Sequence, residues 1–441
     1  MRLIQAFIRS AAYERRFFAK NHWDFAMVLW IPLASMLLVW WIFSQTQITD
    51  LPIGVIDNDH SPVSNTVVRY LESSPDITVR QLYYSPRSAQ DAILKRDIYA
   101  VVVIPEDFSR HILSSQPAPL ILQVNAQYGT HSGIIQKSVQ SVSATLSAGV
   151  KIERLIKQGM APSQAAIAYA PISIQRISLF NAATDYQQFL ASTVIPALLH
   201  ILAMVIGATT IGRELRDKQL GNWYRYIDTL SPPSSPPLAL SPHQADTLSF
   251  EHHDNERHQN TTDNLLSASL EPVNHVSVWV LLFGLLGKYF WPIVAYSLWS
   301  VLALWFATYH YKVDIDSLMI TYGGLVLLMI LSFWLGAIFT LNTFSLRMGL
   351  STTGFVSAPS YAFAGVTFPY IAISDSAKYW ADALPLTHYL KMHIAQLQMQ
   401  APAAISLPII YGLTLATVIA LCLTALLTKR ALAHPEKWGA R

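Results

Sequence analysis

The stretch that decides the fold is FLASTVIPALLHILAMVIGATTIGRELRDKQLGNWYRY, Phe189 to Tyr226. Its first part, Phe189 to Ile211, holds no Asp, Glu, Lys or Arg. A helix needs about 20 apolar residues to cross a hydrocarbon core of ~30 Å, so this part reads as a membrane span. Directly after it comes a compact cluster of both charge signs, tipped by Trp223, Tyr224 and Tyr226. What that cluster does depends on the side of the membrane it occupies and on what it touches there.

The rest of the chain agrees with a membrane setting. Of 441 residues, 52% are hydrophobic and 13% charged, against about 25% charged in soluble domains. Mean hydropathy is +0.33. Twelve Trp and twenty Tyr suit a chain with many membrane–water boundaries. A net charge of +3 is too small to suggest a nucleic-acid partner, and the single Cys422 excludes an intramolecular disulfide or a multi-Cys metal site. The start, MRLIQAFIRSAAYERRFFAK, is too long and polar for a signal-peptide n-region. It reads as a cytoplasmic amphipathic segment over 1–24.

Five uncharged runs are long enough to span: Phe25–Phe43, Phe189–Ile211, Tyr289–Tyr309, Leu318–Asn342 and Pro402–Thr428. A sixth, Met348–Ile373, contains Pro359 and Pro369 and is expected to break and re-enter, its freed backbone groups satisfied by neighbouring protein. Val276–Gly287 is apolar but ends at Lys288. It is expected to lie along the interface or to lengthen the third span. Basic residues mark the cytoplasmic side. They stand before the first span (Arg2, Arg9, Arg15, Arg16, Lys20), after the second (Arg213, Arg216, Lys218, Arg225) and after the last (Lys429, Arg430, Lys437). The expected topology is six spans, both termini cytoplasmic, with residues 276–441 carrying spans three to six, an outer re-entrant segment and a short tail.

Two polar segments interrupt the spans. Residues 44–188 would lie outside as an α/β domain. PIGVID, ITVRQLYY, IYAVVVIP and LILQVNA read as strands. Ser61-Pro62 and Ser85-Pro86 each put a capping Ser before a Pro at the first helical position, so helices are expected over Val63–Leu71 and Arg87–Lys95, with a longer one from His131 to Met160. Asp57 and Asp59 admit a metal site, but a strand end feeding a helix cap is the plainer reading. Residues 228–275 are rich in Pro, Ser, His and Asn without apolar period, which predicts a disordered cytoplasmic linker. His252, His253 and His258 with Glu251 and Asp254 lack elements to fix a metal geometry, so solvation is the plainer reading.

On this topology residues 212–227 are a short cytoplasmic helix. Leu220, Trp223, Tyr224 and Ile227 fall on one face, and Arg213–Asp217 and Glu214–Lys218 are opposite charges at i,i+4. The segment is either an interfacial helix whose charges hold the topology or a docking element. Here GRELRD resembles the coupling-helix region of ABC-2 type permeases, the membrane subunits of a class of ABC exporters. LPIGVIDNDHSPVSNTVVRYLESSPDITV and IYAVVVIPEDF resemble the extracytoplasmic domain inserted after the first span in the exporter branch. ISLFNAATDYQQFLASTVIPALL resembles the re-entry into the second span, and FAGVTFPYIAISDSAKYWADALPLTHYLK the broken fifth span and outer re-entrant segment. The resemblance covers nearly the whole chain. It departs at Lys218-Gln219, where the family often has Gly-Thr.

The resemblance implies a polytopic α-helical fold with an inserted α/β domain and an exporter permease in a bacterial inner membrane. It implies coupling residues Gly212, Arg213, Glu214, Arg216 and Trp223 docking a separate ABC ATPase. It also implies a homodimer or a heterodimer with a related permease, membrane lipids around it and room for a periplasmic adaptor. The small-residue run SLRMGLSTTGFVSAPS suits close helix approach. The sequence has no GxxxxGK[ST] to cradle ATP phosphates and no HExxH or GxSxG, so neither a catalytic residue nor a bound cofactor or metal is expected. His200, mid-span, is a candidate pathway residue; a helix-to-helix hydrogen bond is its plainer role. Two other functions compete. A proton-driven transporter is disfavoured by the scarcity of ionisable residues in the spans. A non-transporting membrane anchor for the outer domain would not need the GRE helix.

Overall fold

The computed structural model describes residues 1–114, 116–169, 179–181, 184–228, 276–309 and 312–439. Of the predicted linker all but Asp228 lies outside the described residues, its His cluster included. The chain divides into two compact units, Met1–Thr46 with Phe180–Arg441, and Gln47–Leu179.

In the first unit, helix α1 (Arg2–Lys20) buries Ala6, Ser10, Tyr13 and Glu14, a set spaced as one helical face. The first apolar run is not straight. It is a pair, α2 (His22–Val28) and α3 (Trp30–Ile42), bent by 41°. Pro32 explains the bend: it has no N–H, and its ring clashes with the carbonyl four residues back. That carbonyl belongs to Val28, and it accepts a 3.0 Å hydrogen bond from the Trp299 indole instead.

In the second unit, strands β1 (Leu51–Asp57), β2 (Ile77–Leu82), β3 (Ala100–Ile104) and β4 (Ile121–Val124) form a sheet in the order β2-β1-β3-β4. β1 runs parallel to both neighbours, with Ile53 opposite Ala100 and Leu51 opposite Ile77, and β4 is antiparallel to β3. Helices α4 (Pro62–Glu72), α5 (Pro86–Lys95), α6 (Phe108–Leu113), α7 (Gly129–Lys157) and α8 (Pro162–Tyr169) complete the unit. Alternation along the strands builds two cores. Ile53, Val55 and Val102 pack with Val67 and Leu71 of α4 and Ile135 of α7, while Ile56 and Val101 pack with Ala89 and Ala92 of α5. Parallel strands covered on both faces in this way read as nearly continuous apolar runs, which is how PIGVID and AVVVI read. Both Ser-Pro pairs start helices. The Ser61 hydroxyl accepts from the Val63 and Ser64 amides in a reciprocal capping box, and Ser85 accepts from the Ser88 amide. Asp57 and Asp59 close the strand end. Asp57 accepts from the Asp59 and His60 amides and the Ser64 hydroxyl; Asp59 accepts from Ser61 and from Ser109.

Back in the first unit, a π-turn at Gln187–Ala191 leads into α9 (Ser192–Arg216), together a 30-residue apolar helix. α9 does not stop at Ile211. It continues through Gly212–Arg216, because nothing in IGRELR breaks a helix, and ends where Lys218 takes φ +56°. A separate short helix, α10 (Leu220–Asp228), follows. Next come α11 (Val278–Lys288), α12 (Phe290–Thr308) and α13 (Ile315–Thr343). Val276–Gly287 thus forms a helix of its own rather than an extension of α12. The sixth run breaks where its prolines stand: α14 (Leu346–Ser357) stops before Pro359, and α15 (Ser360–Phe363), α16 (Asp375–Ala383) and α17 (Pro385–His393) follow as short pieces. At a rise of 1.5 Å per residue α14 is only about 18 Å long. The chain closes with α18 (Leu407–Ala433). Among the described residues four helices have the length and composition to cross a membrane, or five counting the bent pair.

Candidate functional site

The residues singled out after the second span do not project as a free helix. They build the inner wall of a buried charge cluster where α1, α9, α10 and α11 meet. The final turn of α9 turns Arg213 and Glu214 toward α1, and both are buried. Arg213 donates to Glu14 Oε2, lies 3.8 Å from Asp24 Oδ1, and stacks its guanidinium 3.7 Å above the Phe17 ring. Lys288, the last residue of α11, has no exposed surface. It donates to Glu14 Oε1 at 2.5 Å and to Glu214 Oε1 at 2.7 Å. Two carboxylates and two cations therefore share one buried volume, and their charges balance. Burial alone would raise the Glu14 carboxyl; the charges of Arg213 and Lys288 overcome it and hold the group below its ordinary range.

Aromatic residues wall the cluster. Lys288 Nζ lies 5.0 Å from the Tyr13 ring and 5.1 Å from the Trp223 ring, near enough for cation–π attraction. The Trp223 indole donates to the Ser10 hydroxyl at 3.1 Å. Leu220, Trp223, Tyr224 and Ile227 do share one face of α10, as their spacing predicts, but that face is buried in the chain itself. The Tyr224 hydroxyl accepts from the Ser277 amide, and Arg2 pairs with Asp228 at 2.5 Å. Close backbone approach makes this possible: a Cβ on Gly287 would stand 2.3 Å from the Phe7 carbonyl oxygen.

Several expectations change here. The i,i+4 pairs are absent. Arg213 reaches Glu14 instead of Asp217, and Glu214 reaches Lys288 because Lys218 sits in the left-handed break. Trp223 is no exposed anchor, since its ring fills the chain's own core. Gly212 is a packing position: a Cβ there would lie 2.5 Å from Leu346 Cδ1. Arg216 is exposed and pairs with Asp217 at 2.7 Å. The surface left by this arrangement is a polar rim of Arg216, Lys218 and the half-buried Gln219 and Asn222. Glu14 and Lys288, half of the cluster, were missed by sequence reasoning. Glu14 carried a signal, since it shares a helical face with Ala6, Ser10 and Tyr13.

His200 stands apart from the cluster. Its Nδ1 lies 2.7 Å from the Ser332 hydroxyl of α13, and its Nε2 has no partner among the described residues. The Ser332 hydroxyl also bonds the Leu328 carbonyl. Thus the helix-to-helix role is filled at one nitrogen, and the structure does not bring His200 together with the coupling residues.

None of the curated proteins compared with the chain matches it. Residues 22–222 match the family described as ABC-2 family transporter protein. The matched stretch runs from the start of α2 into α10, and this similarity supports a membrane domain of the ABC-2 permease type.

Proposed function

We propose that the chain is the membrane-spanning permease subunit of an ATP-driven exporter, forming the translocation pathway and moved by a separate ATPase subunit. The observation that carries this reading is the balanced cluster of Glu14, Arg213, Glu214 and Lys288 at the end of α9. Buried ion pairs add little stability over well-packed apolar residues, and a fixed geometry is one attested use for them. Here they lock the amphipathic α1, the end of a span and α11 into one body with an exposed polar rim. A push on that rim moves a span directly. In this reading Gly212, Arg213, Glu214 and Trp223 hold the coupling body together, while Arg216, Lys218 and Asn222 meet the ATPase.

The topology that fits has six spans, with the pieces from α14 to α17 serving as the broken fifth and its re-entrant segment. Both termini lie in the cytoplasm, the unit Gln47–Leu179 lies outside, and the membrane is a bacterial inner membrane. Two permease chains, identical or related, form the pathway, with the small-residue face of α14 suited to the contact. His200 serves as a pathway residue through its unpartnered nitrogen.

The rim is the place to test coupling, because removing Glu214 or Trp223 disturbs the fold itself. Arg216→Glu/Lys218→Glu should insert and melt normally but lose ATPase co-purification and transport-coupled ATP turnover. Full coupling by a well-expressed rim variant would retire the reading. Topology is read in a Cys422→Ser background: a membrane-impermeant thiol reagent should reach single cysteines at Lys95 or Lys137 in cells with a permeable outer layer, and not at Arg225.

A further inference from the structure

A groove of about 600 Å³ runs between the α1–α2 corner and α12, a volume within the range of ligand pockets, about 300–1,000 Å³. Its walls are apolar: Phe18, Phe25 and Leu29 on one side, Trp291, Leu298 and Trp299 on the other. Both indole N–H groups are already used, Trp291 donating to the Ala11 carbonyl and Trp299 to the Val28 carbonyl. The tryptophans therefore offer the groove only their ring faces, and their positions are fixed. The polar side chains in the lining are Arg15 and His22. Both are exposed, and among the described residues neither has an ion pair. Among the described residues no carboxylate lines the groove; the nearby Asp24 faces Arg213.

A ligand that matches this has an apolar tail and an anionic head. The surroundings say where it comes from. The groove opens beside exposed apolar side chains of a candidate span, Leu298, Val301 and Trp305, so a tail enters sideways from hydrocarbon. Arg15 stands on an amphipathic helix that also exposes Arg16 and Lys20, a pattern that sits at an anionic membrane surface. We infer that the groove is a binding site for one anionic glycerophospholipid, its acyl chain against Phe25, Leu29 and Leu298 and its phosphate held by Arg15 and His22. Arginine pairs phosphate through two parallel N–H bonds. The lipid would brace the Pro32 bend against α12, next to the coupling body. This rests on the membrane reading of the chain.

The test is native mass spectrometry of the full chain released from detergent, with phosphatidylglycerol or phosphatidylcholine added. The wild type should retain phosphatidylglycerol in preference. Arg15→Ala/His22→Ala leaves the walls intact and should reduce retention at least tenfold, since losing even a single charge-assisted bond costs about that factor. Arg16→Ala/Lys20→Ala removes charge beside the groove and should change retention less than twofold. Leu298→Trp, which fills the groove and keeps both cations, should also lose the lipid. Equal retention of the two lipids, or equal loss in both charge variants, overturns the site in favour of diffuse surface attraction. Loss of a dimer in Leu298→Trp overturns it in favour of a second protein chain. Alkaline extraction of membranes separates the failures: a chain released by it breaks the membrane reading, whereas a retained chain without lipid preference breaks only the site.

Discussion

Two pairs of carboxylates in this molecule are settled in opposite ways. Asp57 and Asp59, at the end of a strand in the α/β unit, are satisfied mainly by neutral donors close in sequence, with Ser109 a distant partner. Partial burial pushes Asp59 up, and the bonds from Ser61 and Ser109 more than reverse it, leaving the group below its ordinary range. Glu14 and Glu214, at the edge of the membrane unit, are satisfied by cations from remote elements; Lys288 is 274 residues from Glu14 and 74 from Glu214. The first arrangement terminates a strand and starts a helix. The second adds directional bonds between segments whose remaining contacts are largely apolar packing, which is non-directional. A cap is a local device, and a buried charge cluster fixes register between distant parts of the chain.

The largest expected effect breaks the second arrangement. Lys288→Met should leave Glu14 and Glu214 facing each other in a buried site and cost about 3–5 kcal/mol, the usual penalty for stripping one partner from a buried pair. Glu14→Met/Lys288→Met removes one charge of each sign and should recover a large part of that loss. Thermal unfolding of the detergent-solubilised protein reads both. Two variants that lose stability additively would mean the cluster is not one unit.

Acid sharpens the same contrast. Glu14 has a lowered carboxyl in the folded chain. Its contribution is therefore fully present above the unfolded value, about 4.3, and is lost as pH falls through the folded value. Stability from this group should be flat between pH 7 and 5 and decline below that. Glu14→Gln should remove its part of the acid decline. An unchanged acid limb would show that Glu14 is not held as a carboxylate.

The contrast also explains what could be read in advance. The strands and the two Ser-Pro helix starts follow from period and neighbouring residues, so PIGVID and Ser61-Pro62 announce themselves. The broken run at Pro359 and Pro369 does so for the same reason. Pro32 carried the same signal inside the first run and went unread, because hydropathy dominates a run such as WIPLASMLLVWWI. The cluster was hidden for a different reason. Lys288 looks like the end of an apolar stretch, and nothing local shows that its partners are Glu14 and Glu214. Trp223 on an amphipathic face looks the same whether that face meets its own chain or another.

A smaller effect checks the local device. Ser61→Ala removes the hydroxyl that accepts from the Val63 and Ser64 amides and should cost about 1 kcal/mol. Combined with Lys288→Met it should add simply, since the two sites share no partner. Coupling between them would contradict the division between a local cap and a long-range clasp.

The smallest effect runs the other way and lies between the two devices, at the break after α9. Lys218 holds φ +56° with an exposed side chain, a conformation that costs a non-glycine residue roughly 1–2 kcal/mol. This is the position where the resembling permeases often carry Gly. Lys218→Gly relieves the backbone but gives up roughly 0.5–1 kcal/mol to the more flexible unfolded chain. The net should be a stabilisation of about 0.5 kcal/mol, within reach of a denaturation midpoint measured in replicate. Lys218→Val should destabilise, because a β-branched residue tolerates positive φ worst. The pair isolates backbone from charge, since both variants remove the same ammonium group. If both lowered stability equally, the ammonium would matter more than the backbone, and the break would belong with the charge cluster. If only valine did, the turn that aims α10 back onto α1 is set by one residue's backbone, a local device positioning a long-range one.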